Sequence, residues 1–141
     1  MKFKNNWRQK SLEILENQNW GNPAKAPTNL IKRCIELTKI PLDNFTLSDL
    51  RIMIGQKIGL QFLIPIAIEK LKNDVFVSAD FYEGDLLSSV LDIDELYWGD
   101  NEDQWIQLND LIKIRREELP ENKVSTVIFD NVKFKNKSKR S

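Results

Sequence analysis

Apolar residues follow helical spacing most clearly between residues 60 and 71. Their spacing is i, i+3, i+4, i+7, i+8 and i+11, which places on one helix face Leu60, Leu63, Ile64, Ala67, Ile68 and Leu71. Phe62 and Ile66 lie off this face and are apolar too, so we expect this helix to be covered on most sides and to lie at the centre of the fold. Pro65 lacks a backbone donor and is expected to kink it.

Capping residues and apolar faces predict several further helices. Thr46 and Asp49 have the spacing of a capping box, so a helix should begin there. Similar patterns predict helices over residues 11–18, 27–40, 85–91 and 105–118. Cys34 lies on the apolar face of the second of these, where we expect a small buried side chain.

Two segments have the β-branched and aromatic composition of strands. The first covers residues 75–77. The second covers residues 124–129, and a turn after it leads into residues 132–134, so a small C-terminal β-hairpin is an open alternative. The patterns together predict a mainly α fold, a compact bundle of about five to seven helices. We expect one domain over residues 1–141, with residues 135–141 as a disordered tail.

The composition excludes most kinds of catalytic and metal site. The chain has 141 residues, no histidine and one cysteine. The lack of histidine removes Ser-His and Cys-His pairs and His-containing zinc sites, and a lone cysteine forms no internal disulfide or thiolate cluster. The acids and glycines match neither a calcium loop nor a phosphate loop. We therefore expect a binding protein that is not an enzyme and that needs no cofactor or metal.

No segment has the features of a membrane span or an export signal. The longest apolar run, residues 58–68, has 11 residues, whereas crossing a bilayer takes about 20. The first residues are not followed by the apolar stretch of a signal peptide. We expect a cytoplasmic protein that does not contact membranes.

The charge is segregated along the chain although its formal sum is zero. Residues 73–112, called the acidic segment here, contain eleven Asp and Glu and no Lys or Arg. Residues 1–72 carry a net +6 and residues 113–141 a net +5. Like charges packed in this way repel, so either the basic segments fold against them or a basic partner binds them. A third use is open as well, because the basic C-terminal tail could contact nucleic-acid phosphates.

The acidic segment supplies the candidate partner-binding residues. Its length is sufficient for one side of a standard interface, which takes about 20 to 30 residues. Carboxylates would speed association and fix orientation, while Tyr and Trp would supply the anchors. The candidate contacts are Asp80, Tyr82, Glu83, Asp85, Asp92, Asp94, Glu95, Tyr97, Trp98, Asp100, Glu102 and Asp103. Trp105 lies on an inward helical face and is expected in the core.

Three runs of residues resemble a known family. They are Ser11-Leu-Glu-Ile-Leu-Glu16 with Trp20-Gly21, the long run from Pro41 to Ala67 that contains Phe45-Thr46-x-x-Asp49-Leu50-Arg51 and Gly55-Gln56-x-Ile58-Gly59-Leu60, and Asp80-Phe81-Tyr82-x-Gly84-Asp85-Leu86-Leu87. These runs are similar to the immunity proteins of bacterial contact-dependent growth inhibition (CDI) systems. The similarity covers about residues 10–95.

The resemblance implies a small cytoplasmic protein that forms a heterodimer with the C-terminal toxin domain of the cognate CdiA exoprotein and blocks its active site. Such toxins are often nucleases, several of them RNases, so the acidic segment would mimic phosphates in a cationic cleft. We expect a monomer when free, with no direct contact to nucleic acid. The alternative is a nucleic-acid-binding or regulatory protein that uses the basic C-terminal tail.

The run from Phe45 to Ala67 is assigned to the scaffold, because it carries helix caps, glycines and core faces. Arg51 and Gln56 are polar within that run. We expect both to form buried hydrogen bonds in preference to partner contacts.

Overall fold

The protein has the mainly α fold that the sequence predicts. A computed structural model describes residue 3 and residues 5–134. Within these residues the α-helices are α1 Leu12–Glu16, α2 Asn29–Leu37, α3 Leu47–Gly55, α4 Leu60–Asn73, α5 Asp85–Leu91, α6 Glu95–Asp100, α7 Glu102–Ile112 and α8 Val127–Asp130. Short 3-10 helices lie at Trp7–Gln9, Pro23–Lys25, Leu42–Asn44 and Lys113–Glu118. The expected disordered tail, residues 135–141, lies outside the described residues.

The helix α4 lies at the centre of the core, as its apolar pattern predicts. It packs against α3, α5 and α7, so its sides face three other helices. Burial of one large apolar side chain contributes about 1.5–3 kcal/mol relative to leaving it exposed, which makes α4 a main source of stability. Pro65 lies inside the helix, which continues to Asn73. Its buried side chains are Phe62, Leu63, Ile64, Ile66, Ala67, Ile68 and Leu71.

Thr46 and Asp49 form the predicted capping box at the start of α3. The Asp49 backbone N–H donates to Thr46 Oγ1 at 3.1 Å, and the Thr46 backbone N–H donates to Asp49 Oδ2 at 3.0 Å. Arg33 of α2 donates from Nη2 to Asp49 Oδ1 at 2.9 Å. Since Asp49 is buried, these bonds satisfy its carboxylate and fix the start of α3 against α2.

Gly59 allows α1 to approach the junction between α3 and α4. It precedes α4 and has a φ of +66°, a left-handed conformation that favours glycine. A Cβ atom at this position would lie 2.7 Å from Cδ1 of Leu12 on α1. Leu12 is fully buried, so the side chain has little room to move away. The local turn and the packing of α1 therefore both require glycine here.

The C-terminal part forms a helical turn where the sequence allowed a β-hairpin. Phe129 of α8 is fully buried, stacks on Trp105 at a centroid distance of 4.9 Å and meets Trp98 edge-on at 5.4 Å. Trp105 Nε1 donates to the Phe129 carbonyl oxygen at 2.9 Å. Residue Phe134 packs on Trp105 as well, at 5.3 Å. This aromatic packing outweighs the strand propensity of residues 124–129, which is a weak and context-dependent preference.

Several smaller expectations have mixed outcomes. Cys34 is buried as predicted, and its burial raises the pKa of the thiol. Residues 75–77 form no strand, and within the described residues β pairing is limited to one bridge between Ser78 and Glu83. Gln56 is exposed beyond the end of α3, so the expectation of a buried hydrogen bond is wrong there. None of the helices in the described ranges has the length and hydropathy that a bilayer span needs.

Candidate partner-binding surface

The helix α5 sets the direction of the acidic segment relative to α3. Near the start of α5, Asp80 forms an ion pair with Arg51 of α3. Near the end of α5, Oδ2 of Asp94 lies 3.9 Å from Nζ of Lys57, just beyond α3. The two helices therefore run side by side in the same direction. Acidic residues lie before and after α5, whose seven residues span about 10 Å at a rise of about 1.5 Å each.

The twelve candidate residues divide into four sets by their place in the fold. Three sets follow one another along the chain, and the fourth is packed into the structure. The sets are a loop group before α5 (Asp80, Tyr82 and Glu83), a turn group between α5 and α6 (Asp92, Asp94 and Glu95), a junction group where α6 meets α7 (Asp100, Glu102 and Asp103), and an inner group (Asp85, Tyr97 and Trp98).

Asp85 is a structural residue that orders the loop before α5. Its side chain is only 3% exposed. The carboxylate accepts hydrogen bonds from the backbone N–H groups of Ala79 at 2.7 Å, Asp80 at 2.8 Å and Phe81 at 2.8 Å. Burial alone would raise the pKa of Asp85, but these amide donors outweigh burial, and the pKa is lowered. The carboxylate is thus occupied inside the protein and is not available to a partner in this conformation.

Arg51 connects the loop group to α3. Its guanidinium pairs with Asp80 and lies 4.6 Å from the centroid of the Phe81 ring. The hydrogen bond from Arg51 lowers the pKa of Asp80. Arg51 therefore bonds within the fold, but the bond is exposed and not buried as expected. The charge of Asp80 is compensated locally. Both aromatic residues of the loop are exposed, Phe81 at 74% and Tyr82 at 41%.

The turn group lies on the surface at the C-terminal end of α5. Asp94 caps α6, because its Oδ1 accepts from the Tyr97 backbone N–H at 3.2 Å. Asp92 ends α5, and desolvation raises the pKa of its carboxyl. Glu95 is exposed in the first turn of α6. Leu96 beside it is the exposed apolar residue of this turn.

Tyr97 and Trp98 hold α6 against the rest of the protein. The Tyr97 hydroxyl lies 3.2 Å from the Leu60 carbonyl oxygen and also bonds Oε1 of Gln104. Burial raises the pKa of Tyr97. Trp98 is fully buried and meets Phe129 edge-on. Of this aromatic pair, Trp98 lies in the core and Tyr97 is half-buried, so neither ring is offered freely at the surface.

The junction group lines a groove of about 1170 Å³. The groove lies between the N-terminal segment, α4 and the α6–α7 junction, and its lining includes Trp7, Arg8 and Pro65. Trp7 is fixed on α4, because its ring lies 6.1 Å from that of Phe62. Arg8 pairs with Glu69 of α4, and its guanidinium lies 5.1 Å from the Trp7 ring. Arg8 and Glu69 are therefore paired with each other, while the acids of the junction group lie on the α6–α7 side. The charged lining also includes Glu16, Lys57 and Lys72.

Sequence reasoning left two exposed residues of this surface out of the candidate set. Phe81 lies in the loop group and Leu96 in the turn group, and both are more exposed than Tyr97 or Trp98. The available signal in both cases was an apolar residue that directly follows an acid and precedes a tyrosine. The exposure of Phe81 and Leu96 depends on the burial of their neighbours Asp85 and Trp98, which the local sequence does not show.

A family model described as CDI immunity proteins matches residues 14–108, which are 95 of the 141 residues. No curated protein and no solved structure gives a significant match. The match includes α2 to α6 and most of α7, and therefore all twelve candidate residues. It ends before α8 and before the basic tail on which a nucleic-acid-binding role would depend, and that tail, residues 135–141, lies outside the described residues.

Proposed function

The chain belongs to the family of CDI immunity proteins, so its role is immunity against a CDI toxin, and we propose that this toxin is a nuclease domain at the C terminus of the cognate CdiA exoprotein. In this proposal the turn group and the junction group cover the cationic active site of the nuclease. The protein acts by binding in the cytoplasm and catalyses no reaction of its own.

The observation that carries this proposal is the incomplete neutralisation of the acidic segment. Ion pairs within the described residues account for Asp80 with Arg51, Asp94 with Lys57 and Asp110 with Lys113. Asp85 is satisfied by backbone amides. Within the same residues, no ion-pair partner within 4 Å is found for Glu83, Asp92, Glu95, Asp100 and Asp103.

The unpaired acids are held on a fixed surface. Four of the five lie between residues 92 and 103: Glu95 and Asp100 are the first and last residues of α6, and Asp92 and Asp103 lie before and after it. That helix is fixed by the fully buried Trp98 and by the hydrogen bonds of Tyr97. A surface that is already in place loses little conformational entropy on binding, so its charges can add to affinity. This supports a cationic partner more than it supports neutralisation within the chain.

The groove beside the junction group favours a partner that inserts a protruding loop or side chain. It has room for basic side chains or for a loop, and Asp100, Glu102 and Asp103 line it. A nuclease that grips phosphates needs a cationic cleft, and clefts lined by one sign of charge attract the opposite charge over long range. We therefore propose that acids of the junction group occupy the positions of substrate phosphates.

The binding of purified toxin domain at low and high salt tests the proposal. The variant Asp100→Lys with Asp103→Lys should slow association at low salt by tenfold or more, and it should flatten the dependence of the association rate on salt. Dissociation should change less. The measurement is interferometry with the toxin domain immobilised, in about 50 and about 500 mM salt.

A matched control separates a local interface from a general effect of charge. Glu117→Lys with Glu121→Lys makes the same change in net charge at exposed residues outside the acidic segment. This control should associate at a rate close to that of the wild type. Equal slowing of association by both variants would show that net charge alone causes the effect. If neither variant associates more slowly, an acidic interface at the junction group is ruled out.

A further inference from the structure

Phe81 is an exposed side chain on a loop whose backbone is fixed by several hydrogen bonds. It is 74% exposed, although a phenylalanine gains free energy when it is buried. The guanidinium of Arg51 lies 4.6 Å from the centroid of the Phe81 ring. The ring therefore makes one contact within the fold, and most of its surface is exposed. The position is therefore neither a core position nor a mobile chain end.

The loop around Phe81 is fixed from within. Three consecutive backbone N–H groups, including that of Phe81 itself, donate to the buried carboxylate of Asp85. The backbone N–H of Gly84 donates to the Phe76 carbonyl oxygen at 3.0 Å, which closes the loop at its other end. A Cβ at Gly84 would lie 3.1 Å from Val124, so the loop also lies close against the C-terminal segment.

The loop around Phe81 carries one acid that is paired and one that is not. Asp80 is paired with Arg51, whose guanidinium also contacts the Phe81 ring. Tyr82 follows at 41% exposure, and Glu83 after it has no ion-pair partner within 4 Å among the described residues. A fixed aromatic side chain surrounded by polar groups is the usual form of an energetic anchor in an interface.

Two short helices connect this loop to the proposed acidic interface. At a rise of about 1.5 Å per residue, the seven residues of α5 span about 10 Å and the six residues of α6 about 9 Å. A standard interface buries about 800 Å² on each partner, which corresponds to a patch roughly 30 Å across. Each helix is shorter than such a patch, and we take one toxin domain to contact both the loop and the junction group.

We infer that Phe81 is the aromatic anchor of the toxin interface, and that it enters an apolar pocket rimmed by basic residues on the toxin domain, outside the cleft that the acidic groups cover. This inference rests on the proposed function, because it takes the same toxin domain as the partner. Two parts of the surface then control different rate constants. The acids set the rate of association, and Phe81 sets the lifetime of the complex.

The variant Phe81→Ala tests the division. It should weaken binding to the toxin domain at least about tenfold, almost entirely through faster dissociation, and the salt dependence of association should stay as in the wild type. The matched control is Ile14→Ala, which truncates a 64% exposed apolar side chain on α1, outside the acidic segment. The control should bind like the wild type. The melting temperature should show that both variants are folded.

The two kinetic constants distinguish failure of the inference from failure of the proposed function. If Phe81→Ala dissociates within about twofold of the wild type, the anchor is overturned, whatever the acidic variant does. If the acidic variant associates normally while Phe81→Ala dissociates faster, the acidic interface fails and the anchor stands. A photoreactive benzoylphenylalanine at position 81 should crosslink to the toxin domain, and absence of that crosslink in a complex that forms would also overturn the anchor.

Discussion

Charged residues of the α2–α4 region differ from those around α6 in how they are satisfied. In the α2–α4 region, Asp49 bonds the backbone of Thr46 and the guanidinium of Arg33, and Glu69 pairs with Arg8. Around α6, Asp92, Glu95, Asp100 and Asp103 have no ion-pair partner within 4 Å among the described residues. The same residue types thus maintain the fold in one region and, in the other, form the acidic surface that we propose for the toxin.

The comparison separates two carboxylates that look alike in sequence. Asp85 and Asp100 both lie in the acidic segment, and each directly follows a glycine and stands three residues after a tyrosine. Asp85 is buried and holds three amides, whereas Asp100 lines the groove. The role of an acid is therefore decided by the hydrogen-bond donors around its carboxylate and not by its membership of a charged segment.

Removal of the Asp85 carboxylate should produce the largest loss of stability. Asp85→Ala leaves three backbone N–H groups without their acceptor, and unpaired buried donors are costly, so we expect a loss of about 2–4 kcal/mol in the free energy of unfolding. Asp100→Ala is the matched control and should change it by less than about 0.5 kcal/mol. Urea unfolding followed by circular dichroism measures both. Equal losses would remove the distinction between the two carboxylates.

Removal of the Asp49 carboxylate should cost less, because part of its role is a helix cap. Asp49→Ala loses one half of the capping box and the bond from Arg33, and caps are worth about 0.5–2 kcal/mol, so a loss of about 1–2 kcal/mol is expected. The same urea experiment measures it. Arg33→Ala should lower the free energy of unfolding by less than Asp49→Ala does, since Asp49 keeps its hydrogen bond from the Thr46 backbone. A loss below about 0.3 kcal/mol for Asp49→Ala would show that the cap contributes little.

Acid should weaken the fold through the carboxylates whose pKa is lowered. Asp85 has a folded-state pKa below its ordinary value of 3.8, because the amide donors outweigh burial. Its contribution is therefore complete above about pH 4 and is lost as the pH falls through the folded-state value. Asp85→Asn should flatten the decline of unfolding free energy at acid pH relative to the wild type, as measured by urea unfolding at a series of pH values. Parallel curves for the variant and the wild type would contradict this assignment.

Neutralisation of Asp92 should have the smallest effect, with the opposite sign. Desolvation raises the pKa of its carboxyl, so the charged form is slightly unfavourable in the folded protein at neutral pH. Asp92→Asn should leave the free energy of unfolding unchanged or raise it by less than about 0.5 kcal/mol. Thermal unfolding at pH 7 is the measurement. A clear loss of stability would show that Asp92 has a structural partner like that of Asp85.

Local patterns were sufficient to predict much of the scaffold. The capping box at Thr46 and Asp49, the apolar face of α4 and the burial of Cys34 depend on residues close together in the chain, and all three are confirmed. The mainly α class follows from them. Helix ends were less accurate, because the last turn of a helix depends on what packs against it.

Long-range packing explains what the sequence could not predict. The burial of Phe129 by Trp98 and Trp105 joins residues more than twenty positions apart and replaces the possible hairpin with α8. The short α6 was not predicted, because its stability comes from Trp98 in the core. The candidate acids were identified by counting charges, but only the folded chain shows which of them Arg51, Lys57 and the loop amides have already engaged.

The hydrogen bonds that shape the loop before α5 have an evolutionary consequence. Asp85 holds the loop through the main-chain N–H groups of Ala79, Asp80 and Phe81, and every amino acid except proline supplies the same donor. Substitutions at exposed positions such as Phe81 to Glu83 therefore keep these donors, and in the interface that we propose they would change the contacts to the toxin while the backbone path of the loop persists. A lineage under pressure to match a changing toxin could retune specificity there in single steps, without passing through unfolded intermediates.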